Sequence, residues 1–119
     1  MIISNVITDN GSEGIWISGQ ASVSIQRNIT SGHKMMGIGI AQQATVNIVQ
    51  NQIVNNLGWG VSLWTKACER QAAEESFTGK ITGKSNEIPC LGESQENQRG
   101  DVCPAALRFL KTNQGGQYP

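Results

Sequence analysis

The sequence predicts an all-β chain: a solenoid of stacked parallel strands, about three to four coils long, with a short C-terminal helical cap. Three observations lead there. The phrase GIWISGQASVSIQRN, residues 14–28, returns 23 residues later as GIGIAQQATVNIVQN, residues 37–51. Within each copy, apolar and polar residues alternate with period two. Asparagines keep the same period at Asn5, Asn28 and Asn51. Self-similar short strands repeating every twenty-odd residues are the signature of a solenoid in which each unit contacts its neighbours.

The stretches GIWI, GIGI and GVSL alternate, as do ASVSI and ATVNI, so each unit reads as strand, turn, strand. The spacing between strands is too short for a crossover helix. It is wrong for hairpins, because one face pattern returns every 23 residues. Parallel strands stacked about 4.8 Å apart fit. Ile15, Ile38 and Val61 then form one inward column, and Ile17, Ile40 and Leu63 another. Gly14, Gly37 and Gly60 mark a bend with no room for a Cβ. Asn5, Asn28 and Asn51 lie at one corner, where stacked amides hydrogen-bond up and down the column. A ligand role is the alternative for these asparagines.

After Leu63 the pattern is interrupted, and it resumes with Asn86 matching Asn51 and Ile88 matching Ile53. That gap is 35 residues, so about 12 are inserted, within residues 65–79. The stretch CERQAAEES holds good helix formers and reads as a short helix or a loop standing off the repeats. It marks either a working face or an ordinary surface excursion. The repeats thus occupy residues 1–89. Residues 90–119 read as a loop and capping helix, with Asp101 as N-cap, Pro104 in the first turn, and Val102, Ala106, Phe109 and Leu110 on one face. The cap would bury the last coil and block strand-on-strand association. No counterpart precedes Ile2. Either the chain is the C-terminal part of a longer solenoid or its first coil meets a partner, which predicts a homo-oligomer through the uncapped N-terminal coil or through the tryptophan face described below.

Nine basic residues balance nine acidic ones. Such a chain has no long-range field to draw in a polyanion, so neither nucleic acid nor a membrane is the expected partner. No apolar run nears the roughly 20 residues of a membrane span. The start MIISNVITDN has no leader pattern. The expected compartment is therefore open: secreted or cell-surface if a leader was removed, otherwise cytoplasmic. The three cysteines, Cys68, Cys90 and Cys103, allow at most one internal pair. They read as buried thiols, or as a Cys90–Cys103 bridge in an exported protein. There is no Cys-x-x-Cys pair and a single histidine, His33, so no metal or other cofactor is expected.

The order G-I-x-I, then A-x-V-x-I, then N-x-I resembles the right-handed parallel β-helix repeat of the pectin-lyase-like superfamily over roughly residues 3–89. The ending GDVCPAALRFLKTNQGGQYP is similar to the tails of some bacterial β-helix proteins of unassigned function. The resemblance implies the fold. It leaves the activity open, because that superfamily spans polysaccharide lyases, hydrolases and proteins without known chemistry.

Catalysis on this fold would need clustered carboxylates, for calcium or for paired acid–base work. The repeat register matches Asp9 with Gly32 and Asn55, and Glu13 with Met36 and Trp59, so no carboxylate column forms. Glu69 and two further glutamates fall in the insertion, and Arg27 and Lys34 have no evident acidic partners. His33, in the turn SGHKMMG, reads as solvated surface or a binding contact. Trp16 points outward in register with Gly39 and Ser62, and Trp64 lies in the next outward column with Ser18 and Ala41. Two indoles two coils apart, about 9.6 Å, flank small residues on one face. Trp59, just before its strand, can join them. Such a face suits the apolar side of sugars, or packs under the insertion or against another subunit. The reading is a non-catalytic binding or assembly module with a polysaccharide as ligand. The alternative is a fragment or subunit of a polysaccharide lyase or glycoside hydrolase whose catalytic residues lie elsewhere.

Overall fold

The computed structural model describes residues 1–65, 68 and 77–119. Among these residues twelve short strands form three sheets. Sheet A joins β1 (Ile2–Ile3), β4 (Ser22–Gln26), β7 (Thr45–Val49), β10 (Lys80–Lys84) and β12 (Gly116–Tyr118). Sheet B joins β2 (Val6–Thr8), β5 (Ile29–Ser31) and β8 (Gln52–Val54), with Glu87 bridging to Gln52. Sheet C joins β3 (Ile15–Ile17), β6 (Ile38–Ile40), β9 (Trp59–Leu63) and β11 (Gly100–Cys103). The chain visits B, C and A in rotation, and every pairing is parallel except that of β12 on β10. One such pass is here termed a rung.

The register follows the repeat. Ile15 pairs with Ile38 and Ile38 with Val61, and Val102 continues that column. All four side chains are buried, as are those of the neighbouring column Ile17, Ile40 and Leu63. Alternation along each strand sends one set of side chains inward and leaves the other outside. The interior is built mainly from isoleucine, leucine and valine, whose branched side chains stack on the identical position one rung away.

The asparagine column is continuous. The Asn5 and Asn28 amides donate to Asn28 Oδ1 and Asn51 Oδ1, each at 2.8 Å, and the Asn51 amide to Asn86 Oδ1 at 2.9 Å. The side-chain amides of Asn28, Asn51 and Asn86 also reach back a rung, to the carbonyls of Ile2, Ile25 and Ile48, each at 2.9 Å. The residue before each asparagine, at Ser4, Arg27, Gln50 and Ser85, has φ between 54° and 60°. This left-handed residue turns the corner, and the asparagine holds the freed backbone groups. The bend glycines are required by space. A Cβ on Gly37 would lie 2.4 Å from Ile53 Cγ2 and 2.8 Å from the Gly60 carbonyl oxygen, and one on Gly60 2.4 Å from Ile88 Cγ2.

Three expectations need correction. The capping helix was to begin at Asp101, but Gly100–Cys103 is the fourth strand of sheet C. Asp101 is buried there, its carboxylate bonded to Lys111 at 3.0 Å and to the Val102 amide at 2.8 Å. The helix is a 3-10 turn, Ala105–Lys111, that buries Leu107 and Leu110, while Ala106 faces solvent. Leu110 reaches the space that a side chain on Gly83 would fill in the Ile25–Ile48 column. Then β12 pairs along the outer edge of β10. Second, the bridge is Cys68–Cys103 and not Cys90–Cys103. Cys103 stands in the outward column of sheet C, in register with Ser62, so it faces the segment that leaves the same sheet after Leu63. Cys90 is a free thiol bonded to Glu93 at 2.8 Å. Third, His33 is fully buried. The helix or loop expected of CERQAAEES lies, Cys68 apart, outside the described residues.

Candidate functional site

The three tryptophans lie on or just beside sheet C. Ile15 and Ile17 point inward, so Trp16 points outward, and it is 40% exposed. In register one rung on stands Gly39, where an added Cβ would lie 2.8 Å from Trp16 Cε3. The indole therefore lies along the stacking direction, over the glycine. Trp64 follows β9 and is half-buried. Its ring meets that of Trp16 edge to face, with centroids 5.1 Å apart and planes at 80°. The backbone spacing of two rungs suggested two platforms held apart. The rings instead lean across the gap above Gly39 and touch, because no side chain separates them. Contact of this geometry fixes both rotamers and adds about 1 kcal/mol beyond area burial.

Trp59 behaves differently. It is in register with Gly100, and a Cβ there would lie 2.5 Å from Trp59 Cζ3. Its ring thus covers the fourth strand as Trp16 covers the second. Among the described residues its buried Nε1 has no hydrogen-bond partner and its ring makes no contact with the Trp16–Trp64 pair. Ser62, also outward on its strand, is buried. The open part of the face is therefore at the Trp16 end. Glu13 lies beside Trp16, its Cγ 3.3 Å from the same added Cβ on Gly39, and Ser12 Oγ donates to its carboxylate.

His33 belongs to a second ladder, away from any surface. The Asn56 amide donates to Asn97 Oδ1 at 3.3 Å and the His33 amide to Asn56 Oδ1 at 3.2 Å. One rung earlier the Asn10 amide donates to His33 Nδ1 at 3.1 Å. The imidazole thus stands where later rungs have asparagine. Nδ1 accepts, so the proton sits on Nε2, which lies 3.1 Å from the Ile7 carbonyl and 2.7 Å from Thr30 Oγ1. Burial pushes its pKa below the usual value, against the opposing pull of the Ile7 carbonyl and of Asp9. Gly14 makes the room: a Cβ there would lie 2.3 Å from Thr30 Oγ1 and 2.5 Å from His33 Nε2. A buried, fully bonded imidazole is a structural member rather than a surface contact.

A polar strip on the outer face of sheet A was not singled out from sequence. Ser24, Asn47 and Thr82 share one outward column, and Ser22 and Thr45 the next. They line a shallow depression of about 340 Å³, with Thr82 Oγ1 donating to Asn47 Oδ1 at 2.9 Å. The signal was present in the small polar residues alternating through ASVSI and ATVNI. Among the described residues, no group of three or more His, Cys, Asp or Glu side chains is placed to hold a metal ion, and no helix is long and apolar enough to cross a membrane.

The family profile described as right-handed beta helix region matches residues 1–77, more than half of the chain. No curated protein matches it, and no solved structure does. With three largely parallel sheets visited in rotation, the chain belongs to the right-handed β-helix family.

Proposed function

We propose that this chain is a non-catalytic binding module whose ligand is a polysaccharide laid across the outer face of sheet C. The observation that carries the reading is Trp16, an indole 40% exposed on a sheet face and held in place by the Trp64 ring. A sugar's apolar face stacks on such a ring at little cost in protein ordering, because the rotamer is already set. The same reading takes the three sheets as the sides of a closed, pectin-lyase-like solenoid of three to four coils, rigid enough to keep the rings in place. Titration with soluble glycans tests it. Saturable binding that is lost in Trp16→Ala, with no shortened product formed, supports the module. Release of shortened products would favour the lyase or hydrolase subunit instead. Loss of an oligomer in Trp16→Ala, with the chain still folded, would make the face an interface.

A second observation favours self-association through the first rung. Asn28, Asn51 and Asn86 each accept the backbone N–H of the rung before, whereas Asn5 Oδ1 receives no donor among the described residues. Strands β1, β2 and β3 are edge strands, and Met1 and Val6 are exposed beside them. Such edges pair readily with other strands. At the far end β12 covers the β10 edge of sheet A, and two copies meeting first rung to first rung would make a closed two-fold arrangement. Light scattering over a concentration series would then give a dimer. A monomer at every concentration would refute this mode.

A further inference from the structure

We infer that Glu13 and Trp16 form a two-part subsite for a neutral pyranose, in which the indole takes the apolar face of the ring and the Glu13 carboxylate accepts hydrogen bonds from its hydroxyls. The inference rests on the reading of sheet C as a glycan surface and adds the class of glycan. Both side chains come from one short stretch, Glu13 at the bend before β3 and Trp16 within it. Both lie over Gly39 of the next rung. A Cβ on that glycine would approach Trp16 Cε3 to 2.8 Å and Glu13 Cγ to 3.3 Å, so the glycine is the common seat on which indole and carboxylate stem rest side by side. Trp64 buttresses the indole edge-on.

The electrostatics select the ligand. A carboxylate offers about four lone-pair positions. Among the described residues the only hydrogen bond to Glu13 comes from the exposed Ser12 hydroxyl, which also approaches Met35 Sδ at 3.6 Å. No ion pair with Glu13 is formed among the described residues. Most of the carboxylate's accepting capacity is therefore open to a ligand. Sugar hydroxyls are donors, and hydrogen bonds to an ionised acceptor are the stronger kind. A uronic acid or sulfated sugar would bring a like charge to the same place, which is unfavourable. The subsite thus prefers neutral sugars.

The test compares two probes of equal length, a neutral β-linked glucan hexasaccharide and a hexasaccharide of uronic acid, by calorimetry on the full chain. The wild type should bind the neutral probe more tightly than the acidic one. Glu13→Gln should weaken the neutral probe about tenfold, the loss of one charge-assisted hydrogen bond, and narrow the gap between the probes. Circular dichroism confirms that the variant is folded. If Trp16→Ala abolishes binding while Glu13→Gln changes neither affinity, the Glu13 assignment falls and the aromatic face stands. Preference of the wild type for the acidic probe overturns the Glu13 assignment as well. If neither probe binds, or if Trp16→Ala binds as the wild type does, the glycan reading itself falls, and this subsite with it.

Discussion

Truncating Asn51 to alanine should be among the costliest single changes at the corners, and its cost can be worked out bond by bond. The residue is 1% exposed. Its Oδ1 accepts the Asn28 amide at 2.8 Å and Asn28 Nδ2 at 3.1 Å. Its Nδ2 donates to the Ile25 carbonyl at 2.9 Å, to Val49 at 3.1 Å and to Asn86 Oδ1 at 3.0 Å. Alanine leaves the buried Asn28 N–H without its acceptor and the Ile25 carbonyl short of a donor. Each such group costs roughly 1–3 kcal/mol, so the total is about 3 kcal/mol. For a chain of this length that lowers Tm by about 10 °C. Asn5→Ala is the internal control. Asn5 is exposed, and among the described residues its Oδ1 accepts nothing and its Nδ2 donates only to the Ile3 carbonyl and Asn28 Oδ1, both at 3.2 Å. Its loss should cost below about 1 kcal/mol. Urea unfolding of the two variants, with the slope m checked for constancy, measures the difference. If Asn51→Ala is as mild as Asn5→Ala, the ladder does not hold the corners together and the argument fails.

Other consequences follow from single contacts. The proton that His33 resists in the folded state is taken up freely on unfolding. The stability that the neutral imidazole contributes is therefore full above the ordinary histidine pKa of 6.5 and is lost as the pH falls toward its lower folded value. The stability of the wild type relative to His33→Asn should fall from about pH 7 to about pH 5, and a difference independent of pH would refute the burial argument. Burial pushes the Asp101 carboxyl up, but Lys111, the Val102 amide and Arg108 together hold it below its usual value. Lys111→Ala removes the closer cation, at 3.0 Å against 3.4 Å for the exposed Arg108, and should cost roughly 1–3 kcal/mol in urea unfolding. The Cys68–Cys103 bridge spans 35 residues, so its reduction should remove about 3–4 kcal/mol by the chain-entropy estimate, and alkylation of the unreduced, unfolded protein should label Cys90 alone. Gly37→Ala should be strongly destabilising, because its methyl would press on Ile53 Cγ2 and the Gly60 carbonyl, whereas Gly11→Ala meets nothing within 4 Å and should be near neutral.

The repeating part was legible because in such a stack each position is read against itself one rung later. The columns Ile15–Ile38–Val61 and Asn5–Asn28–Asn51 follow directly from a constant period. Legibility failed where the period broke. Asn97 bonds to Asn56 across 41 residues, not 23, so the fourth strand of sheet C hid inside a stretch that looked like loop and helix. The pattern of Asp101 and Pro104 resembles a helix start, yet register with Val61 outweighs local propensity and draws Val102 into the core. His33 was misread for want of one comparison. Its column holds Asn56 and Asn97, and the inward column of Ile7, Ile53 and Ile88 carries Thr30, the polar partner that a buried imidazole needs. The bridge could not be chosen by counting cysteines, because the choice depends on which one the fold brings beside Cys68. The aromatic pair was legible as a face but not as a contact, since backbone spacing does not say that two indoles lean together over a glycine.

The most direct test of the central claim is the set of three indole N–H resonances, followed by NMR as a neutral glucan oligosaccharide is titrated into the full chain. The account predicts saturable shifts for Trp16 and Trp64, with Trp59, packed over Gly100, unmoved. A titration in which Trp16 and Trp64 stay still, or in which only the first-rung amides of Val6 to Thr8 respond, would contradict it.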